Sequence, residues 1–329
     1  MKKIASKWAF TKGLRDIGNG CYAYLQPDGS WGWSNAGLIV DSGQSMLVDT
    51  LFDLKLTREM LDSMRRAEPQ ATAKIGTLVN THSNGDHCFG NELVAGAEII
   101  ASKACAEDLQ HDGGAARLAE MQRNASQMGE VGKFFARIFA PFDFQGINVA
   151  MPTKTFQGEL ECRVGDKIVR LIEVGPAHTR GDVIAYVPKN RVVFTGDILF
   201  INGHPIIWAG PVANWINACQ LMLDLDIETV VPGHGPITDK KGIAAVKGYL
   251  EYIAAEARKR YDAGMTIAEA AADISLDSYS SWSDAERIAV NVGSLYREFV
   301  AEKGTASSRT AGEGELFALM AQMADRPSH

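Results

Sequence analysis

Near the start of the chain, apolar and polar residues alternate in short runs, the period that buries one face of a β-strand. CYAYL (21–25) and SWGWSNAGLIV (30–40) flank the turn Pro27-Asp28-Gly29 and read as a hairpin, and SMLVDT follows as another strand. Over 53–68 the apolar positions change to helical spacing and stop before Pro69. KIGTLVN and EIIAS have the length and composition of buried strands, whereas 104–140 holds only helical patterns. Strands return as TKTF, GELECRV, KIVRLIEV, DVIAYV and RVVFTGD, with turns at Gly165-Asp166 and Pro188-Lys189-Asn190. A helix from Trp215 to Leu225, the strand ETVVPG and a long helix from Asp239 to Asp262 complete this part. Beyond 262 no strand pattern occurs, and the last twenty-odd residues, at first rich in small side chains, are expected to fray. The order is strands, helices, strands, helices, twice over, with a helical appendage.

Composition narrows the class. A length of 329 residues implies one large domain with an appendage, or two domains. The formal charge of −7, with no long basic run, argues against nucleic-acid or anionic-membrane partners. Five cysteines without CxxC spacing argue against a disulfide framework and for a reducing compartment. The start, MKKIASKWAFTKGL, lacks the apolar core of a signal peptide, and no run of about 18 apolar residues occurs. A cytoplasmic protein without a membrane span is expected.

Chemistry concentrates at four places, each where a strand ends in a Gly- or Pro-rich loop. They are His82-Ser83-Asn84-Gly85-Asp86-His87, the turn Gly175 to Asp182 containing His178, Thr195-Gly196-Asp197, and Pro232-Gly233-His234-Gly235-Pro236. Strand ends can converge on one sheet edge, and His with Asp suits a transition metal. His111 and His329, isolated from these loops, read as surface residues.

These motifs resemble the metallo-β-lactamase superfamily, whose hallmark is HxHxDH after a strand, followed by a His, an Asp and a last His. The likeness covers roughly residues 15–245. It implies an α/β (α+β) fold, the four-layer αββα sandwich, over 1–245, with a helical insert at about 104–140 and a helical C-terminal extension over 246–329. It also implies that His82 and His178 belong to a first metal site, that Asp86, His87 and His234 belong to a second, and that Asp197 bridges them. Asp49 resembles the acid that orients a ligating histidine. The departure is Asn84, which stands where the family has its second histidine, so the motif here is HxNxDH. An amide oxygen is a weaker zinc ligand than imidazole, so one tight and one weak ion are expected; the alternative is that Asn84 ligates through oxygen and both sites fill. Zinc is the expected ion, and iron or manganese suits the same ligand types.

The reaction expected is hydrolysis of an ester, thioester, lactone or amide of a small, partly apolar substrate by a metal-activated hydroxide. Asp86 would ligate and orient that hydroxide, with His82 or His178 as general base where one site stays empty. Competing readings are an iron-dependent dioxygenase of the same fold and a metal-poor binding protein. His204 is a candidate proton donor or substrate contact, and Trp31, Trp33 and Trp208 are candidate substrate contacts. Phe134, Phe135, Phe139 and Phe142 of the insert suit a lid, ordinary core or a homodimer face. Tyr279, Trp282, Arg287 and Tyr296 of the extension are candidates for a pocket wall, and Cys88 reads as structural.

Overall fold

The computed structural model describes residues 3–4, 6–94, 96–111, 114–303 and 310–325. His329, parts of the first five residues and the segment 304–309 lie outside the described residues.

Among the described residues, twelve strands form two sheets. The first contains β1 (Gly13–Gly18), β2 (Cys21–Leu25), β3 (Ala36–Asp41), β4 (Gln44–Val48), β5 (Thr77–Val79), β6 (Glu98–Ser102) and β7 (Lys154–Phe156), in that spatial order. Pairing is antiparallel from β1 to β4 and parallel from β4 to β7. The second contains β8 (Glu159–Val164), β9 (Lys167–Glu173), β10 (Val183–Val187), β11 (Val192–Phe194) and β12 (Thr229–Val231), in the order β12-β11-β10-β9-β8. Only the β11–β12 pair of this sheet is parallel.

Alternation along the strands builds the layers. Met46 and Val48 of β4 and Val183, Ala185 and Val187 of β10 meet in the core between the two sheets. Leu47 points the other way, onto α1 (Leu54–Ala67), through Leu56, Met60, Leu61 and Met64. Ile184 and Tyr186 point to the opposite outer layer, built around Trp215. The chain is therefore the αββα sandwich. Asp53 caps α1 by accepting from the Leu56 N–H at 2.7 Å.

The remaining helices are α2 (Gly85–Cys88), α3 (Lys103–His111), α4 (Gly114–Asn124), α5 (Gly129–Phe139), α6 (Val212–Asp224), α7 (Lys240–Asp262), α8 (Ile267–Asp273), α9 (Ile288–Lys303) and α10 (Glu313–Ala324). The segment α3 to α5 is the helical insert, and α8 to α10 form the extension. The division expected at 245 falls inside α7, a continuous helix of 23 residues that packs on both α6 and α9. No helix among the described residues is long and apolar enough to cross a membrane.

Two expectations need correction, and one strand was not read. Residues 30–35 are not a hairpin arm, because their backbone turns to the His234 loop: Asn35 N donates to Gly233 O at 2.7 Å, and Asn35 Nδ2 to Pro232 O and Gly235 O. Strand β1 carried no readable alternation, since Ile17 is its one buried side chain. Residues 313–324 do not fray; they form α10, which buries Leu316, Met320 and Ala321 against α5 and α9. With these side chains buried, Leu316→Ala and Met320→Ala should each cost about 2–5 kcal/mol in denaturant unfolding. A frayed helix would give changes within about 0.5 kcal/mol.

Candidate metal centre

Four strand ends deliver the site. Asp49 follows β4, His82 follows β5, Asp197 follows β11 and His234 follows β12. His178 lies in the turn between β9 and β10, where Val183 N donates to Thr81 O at 2.8 Å and joins the two sheets. Close approach is built in: a Cβ on Gly233 would overlap Asp197 Oδ1. Asp49 sits at φ 63°, a left-handed conformation that outside glycine is visited mainly by asparagine and aspartate, and here local bonding sustains it. Its carboxylate accepts from Thr81 N and Thr81 Oγ1, both at 2.7 Å, and from His87 Nδ1 at 2.9 Å.

Each histidine is locked with Nδ1 outward and Nε2 inward. The Thr81 hydroxyl gives its proton to Asp49 and so accepts from His82 Nδ1 at 3.0 Å. His87 Nδ1 donates to Asp49, His178 Nδ1 to Ile206 O at 2.7 Å, and His234 Nδ1 to Gly29 O at 3.1 Å. This outward bonding sets tautomer and ring orientation as the supports of metal-ligating histidines do. Inside, His234 Nε2 lies 3.1 Å from Asp86 Oδ2 and 3.4 Å from Asp197 Oδ2, and His87 Nε2 lies 3.1 Å from Asp197 Oδ1. His82 Nε2, His87 Nε2 and Asp197 Oδ1 are buried and make no aligned hydrogen bond, the last two facing each other only as an ion pair. Orphaned, convergent nitrogen and oxygen atoms of these types fit a divalent transition ion.

Two overlapping groups could hold it: Asp86, His87 and His234, or His82, His87 and Asp197. Both need His87, whose single inward nitrogen serves one ion. His178 is withheld from either group. Its Nε2 lies 2.6 Å from Asn84 Oδ1, and its Nδ1 donates to Ile206 O. Burial holds its pKa below the ordinary value, and the contact with Asn84 occupies the nitrogen that would face an ion. The Asn84 side chain caps no helix; it caps a histidine.

Charge in the centre is balanced by protons. Burial opposes the charge on every member, but Asp197 and Asp86 overcome it and raise His234 to about 9 and His87 well above the usual histidine range. The histidines in turn hold Asp86 and Asp197 below the usual carboxylate range despite burial. Burial and the neighbouring His87 keep His82 neutral. A dication that displaces one proton from each of His87 and His234 leaves the net charge of the pocket unchanged.

The centre opens into a cavity of about 380 Å³ lined by Asn84, Asp86, His178, Asp197 and His234 at its floor. Trp31 and Trp208 line it, and so does Arg287. Trp33 does not; it packs on Phe142 with ring centroids 4.8 Å apart. His204 does not either. It is fully buried between Tyr249 and Trp282, donates to Ser283 O at 2.8 Å, and burial pushes its pKa down to about 4, so it cannot supply a proton at neutral pH. Of the extension aromatics, Tyr279, Trp282 and Tyr296 are core residues. Cys88 donates to Asn84 O at 3.2 Å within the metal loop, and all five cysteines are free thiols.

Several contributors escaped the sequence reading. Phe200 stacks flat on His234 at 5.0 Å and 8°, and Trp215 meets His178 edge-on at 5.8 Å. Asp182 closes the His178 turn by accepting from Thr179 N and Oγ1. Burial raises it to about 7. Its three-residue spacing from Thr179 was the readable signal. Phe317 of α10 enters the cavity wall with no local signal at all.

A family profile described as the metallo-beta-lactamase superfamily matches residues 29–234, and the chain belongs to that superfamily. Among solved structures it is similar to the stereoselective inverting sec-alkylsulfatase Pisa1 from a Pseudomonas species, at 17% identity and a TM-score of 0.67, over 88% of this chain and 50% of that one. The chain thus spans half the length of that protein. It is also similar to a metallo-β-lactamase from Pontibacter korlensis, at 18% identity and a TM-score of 0.53, over 73% of this chain and 99% of that one. TMB-1 gives the same identity and TM-score, over 73% and 98%. At these identities the likeness shows the fold. No curated protein matches the sequence.

The proton balance has a measurable consequence. At neutral pH, zinc entering the metal-free protein should expel about two protons, read by calorimetry in buffers of different ionisation enthalpy. Release of none would overturn the charge assignment. The sign for stability follows from the raised His234 pKa: its contribution in the metal-free fold is complete below 6.5 and fades as pH rises through about 9. Thermal melts of metal-free protein should fall over that window.

Proposed function

We propose that the protein is a metal-dependent hydrolase with one tightly held divalent ion, zinc by ligand type, and that it cleaves an ester, thioester, lactone or amide of a small molecule. Asp86, His87 and His234, with Asp197, would hold the ion. The observation that carries the single-ion reading is the Asn84–His178 contact, together with the sharing of His87 between the two ligand groups. An ion of this kind makes water a nucleophile at neutral pH and polarises the scissile carbonyl. The chain's own residues do the rest. Asp86 and Asp197 line the cavity floor as ionised acceptors that orient a water molecule. His178 Nε2, uncharged and facing the same space, accepts the proton when it exchanges its Asn84 partner for that water. Phe200, stacked on His234, and the aromatic walls exclude bulk solvent.

The test is hydrolysis of an activated acetate ester with metal content measured in parallel. Activity should vanish with chelator, return with about one equivalent of zinc, and be absent in His87→Ala and His234→Ala, which should also lose bound metal. Chelator-resistant hydrolysis, or full metal content in both variants, would sink the proposal. Asn84→His frees His178 and adds an imidazole, so this variant should retain a second zinc through dialysis that strips it from wild type. A gain of at least tenfold in second-site affinity, about 1.4 kcal/mol, is expected by titration calorimetry. Two equally tight sites in wild type would show that Asn84 ligates well.

A further inference from the structure

The cavity is two-faced. Its floor carries the polar groups of the metal loops, and its walls carry Leu118 and Met121 of α4, Met128, Phe135 and Phe139 at α5, and Phe317 of α10. The insert and the extension are packed on each other at this wall: the Phe134 and Phe317 rings lie 5.3 Å apart, and α5 contacts α10. Among the other charged groups of the lining, Arg117 and Glu313 are exposed, and Arg287 is engaged. The Arg287 guanidinium lies 4.4 Å from the Trp31 ring, donates to His204 O at 2.9 Å and sits 3.3 Å from Asp284 Oδ2.

A polar chain placed along these walls would leave its hydrogen-bonding groups unmet, whereas an apolar chain would lose water at no such cost. At about 380 Å³ the space matches a small molecule rather than a macromolecular segment. Two thioethers in the wall let it adapt to a flexible chain. The geometry points to a substrate with a medium-length hydrocarbon chain that lies between the insert and α10 and carries its cleaved group at the metal end. Chain length, on this view, is selected by Met121 and Phe317, which lie outside the metal loops. The identity of the cleaved end rests on the hydrolase reading; the chain chamber does not.

The test uses the full chain, with and without zinc, and linear alkanoates from butanoate to dodecanoate as non-hydrolysable probes, with binding read by titration calorimetry. Each added methylene should tighten binding about fourfold, the equivalent of about 0.8 kcal/mol per buried methylene, until the chamber is full. Phe317→Trp and, independently, Met121→Trp should bring that plateau to a shorter chain. Affinity indifferent to chain length, or a plateau that neither variant moves, overturns the inference. A clear chain-length series in a protein that hydrolyses no ester would uphold the chamber and reject the hydrolase reading. Ester hydrolysis without any chain-length dependence would do the reverse.

Discussion

Three carboxylates, Asp49, Asp86 and Asp197, are buried beside four buried imidazoles at one edge of the sandwich, and this concentration of charge constrains everything around it. Isolated ions in such a place would cost several kcal/mol each, so every carboxylate has to be paired or solvated by donors. Asp49 meets that need with three hydrogen bonds at a left-handed backbone angle, and Asp86 and Asp197 meet it with protonated His87 and His234. The same arrangement that keeps the metal-free fold tolerable is the one that receives a cation. Binding of an ion and stability of the fold are linked through the same few protons.

The extension is coupled to this centre, not merely appended to it. Arg287, at the entrance to α9, lies against Trp31 and Phe200, and Phe200 is stacked on the ligand candidate His234. Trp31 is held from its other side by a bond from its Nε1 to Glu286 Oε1 at 2.9 Å and by edge contacts to Phe134 and Phe139 of the insert. Insert, extension and metal loops therefore share one aromatic lattice. Edge-to-face rings of this kind add about 0.5–1.5 kcal/mol per pair beyond the area they bury. A change at Trp31 is felt at three elements distant in sequence.

Much of the centre was legible in the chain itself. His82, His178, Asp197 and His234 follow a strand or lie between two, Asp86 and His87 sit in the short helix α2 just after β5, and strand ends in parallel pairs converge by geometry. Alternation or a short apolar run marked the strands from β2 onward, because both are local patterns that burial writes directly into sequence. It could not identify β1, an edge strand with little to bury, nor the loop 26–35, whose aromatic residues answer to the insert rather than to a neighbouring strand.

What only the tertiary structure decided are the relations between side chains far apart in the chain. Residue type alone marked Asn84 as a weak ligand; the contact across 94 positions to His178 turned it into a cap that withholds a second imidazole. His204 has the composition of a catalytic residue, yet the extension folded over it and left it neutral in an aromatic core. Trp31 and Trp33, two residues apart, were separated by the packing of one insert, which brought the first to the cavity and set the second on Phe142. Spacing and residue type determine which atoms can bind a metal and where strands run, since both act over a few residues. Which lone pairs remain unoccupied, and which apolar faces meet to make a chamber, depends on how the two sheets, the insert and α10 close on one another, and no local pattern encodes that.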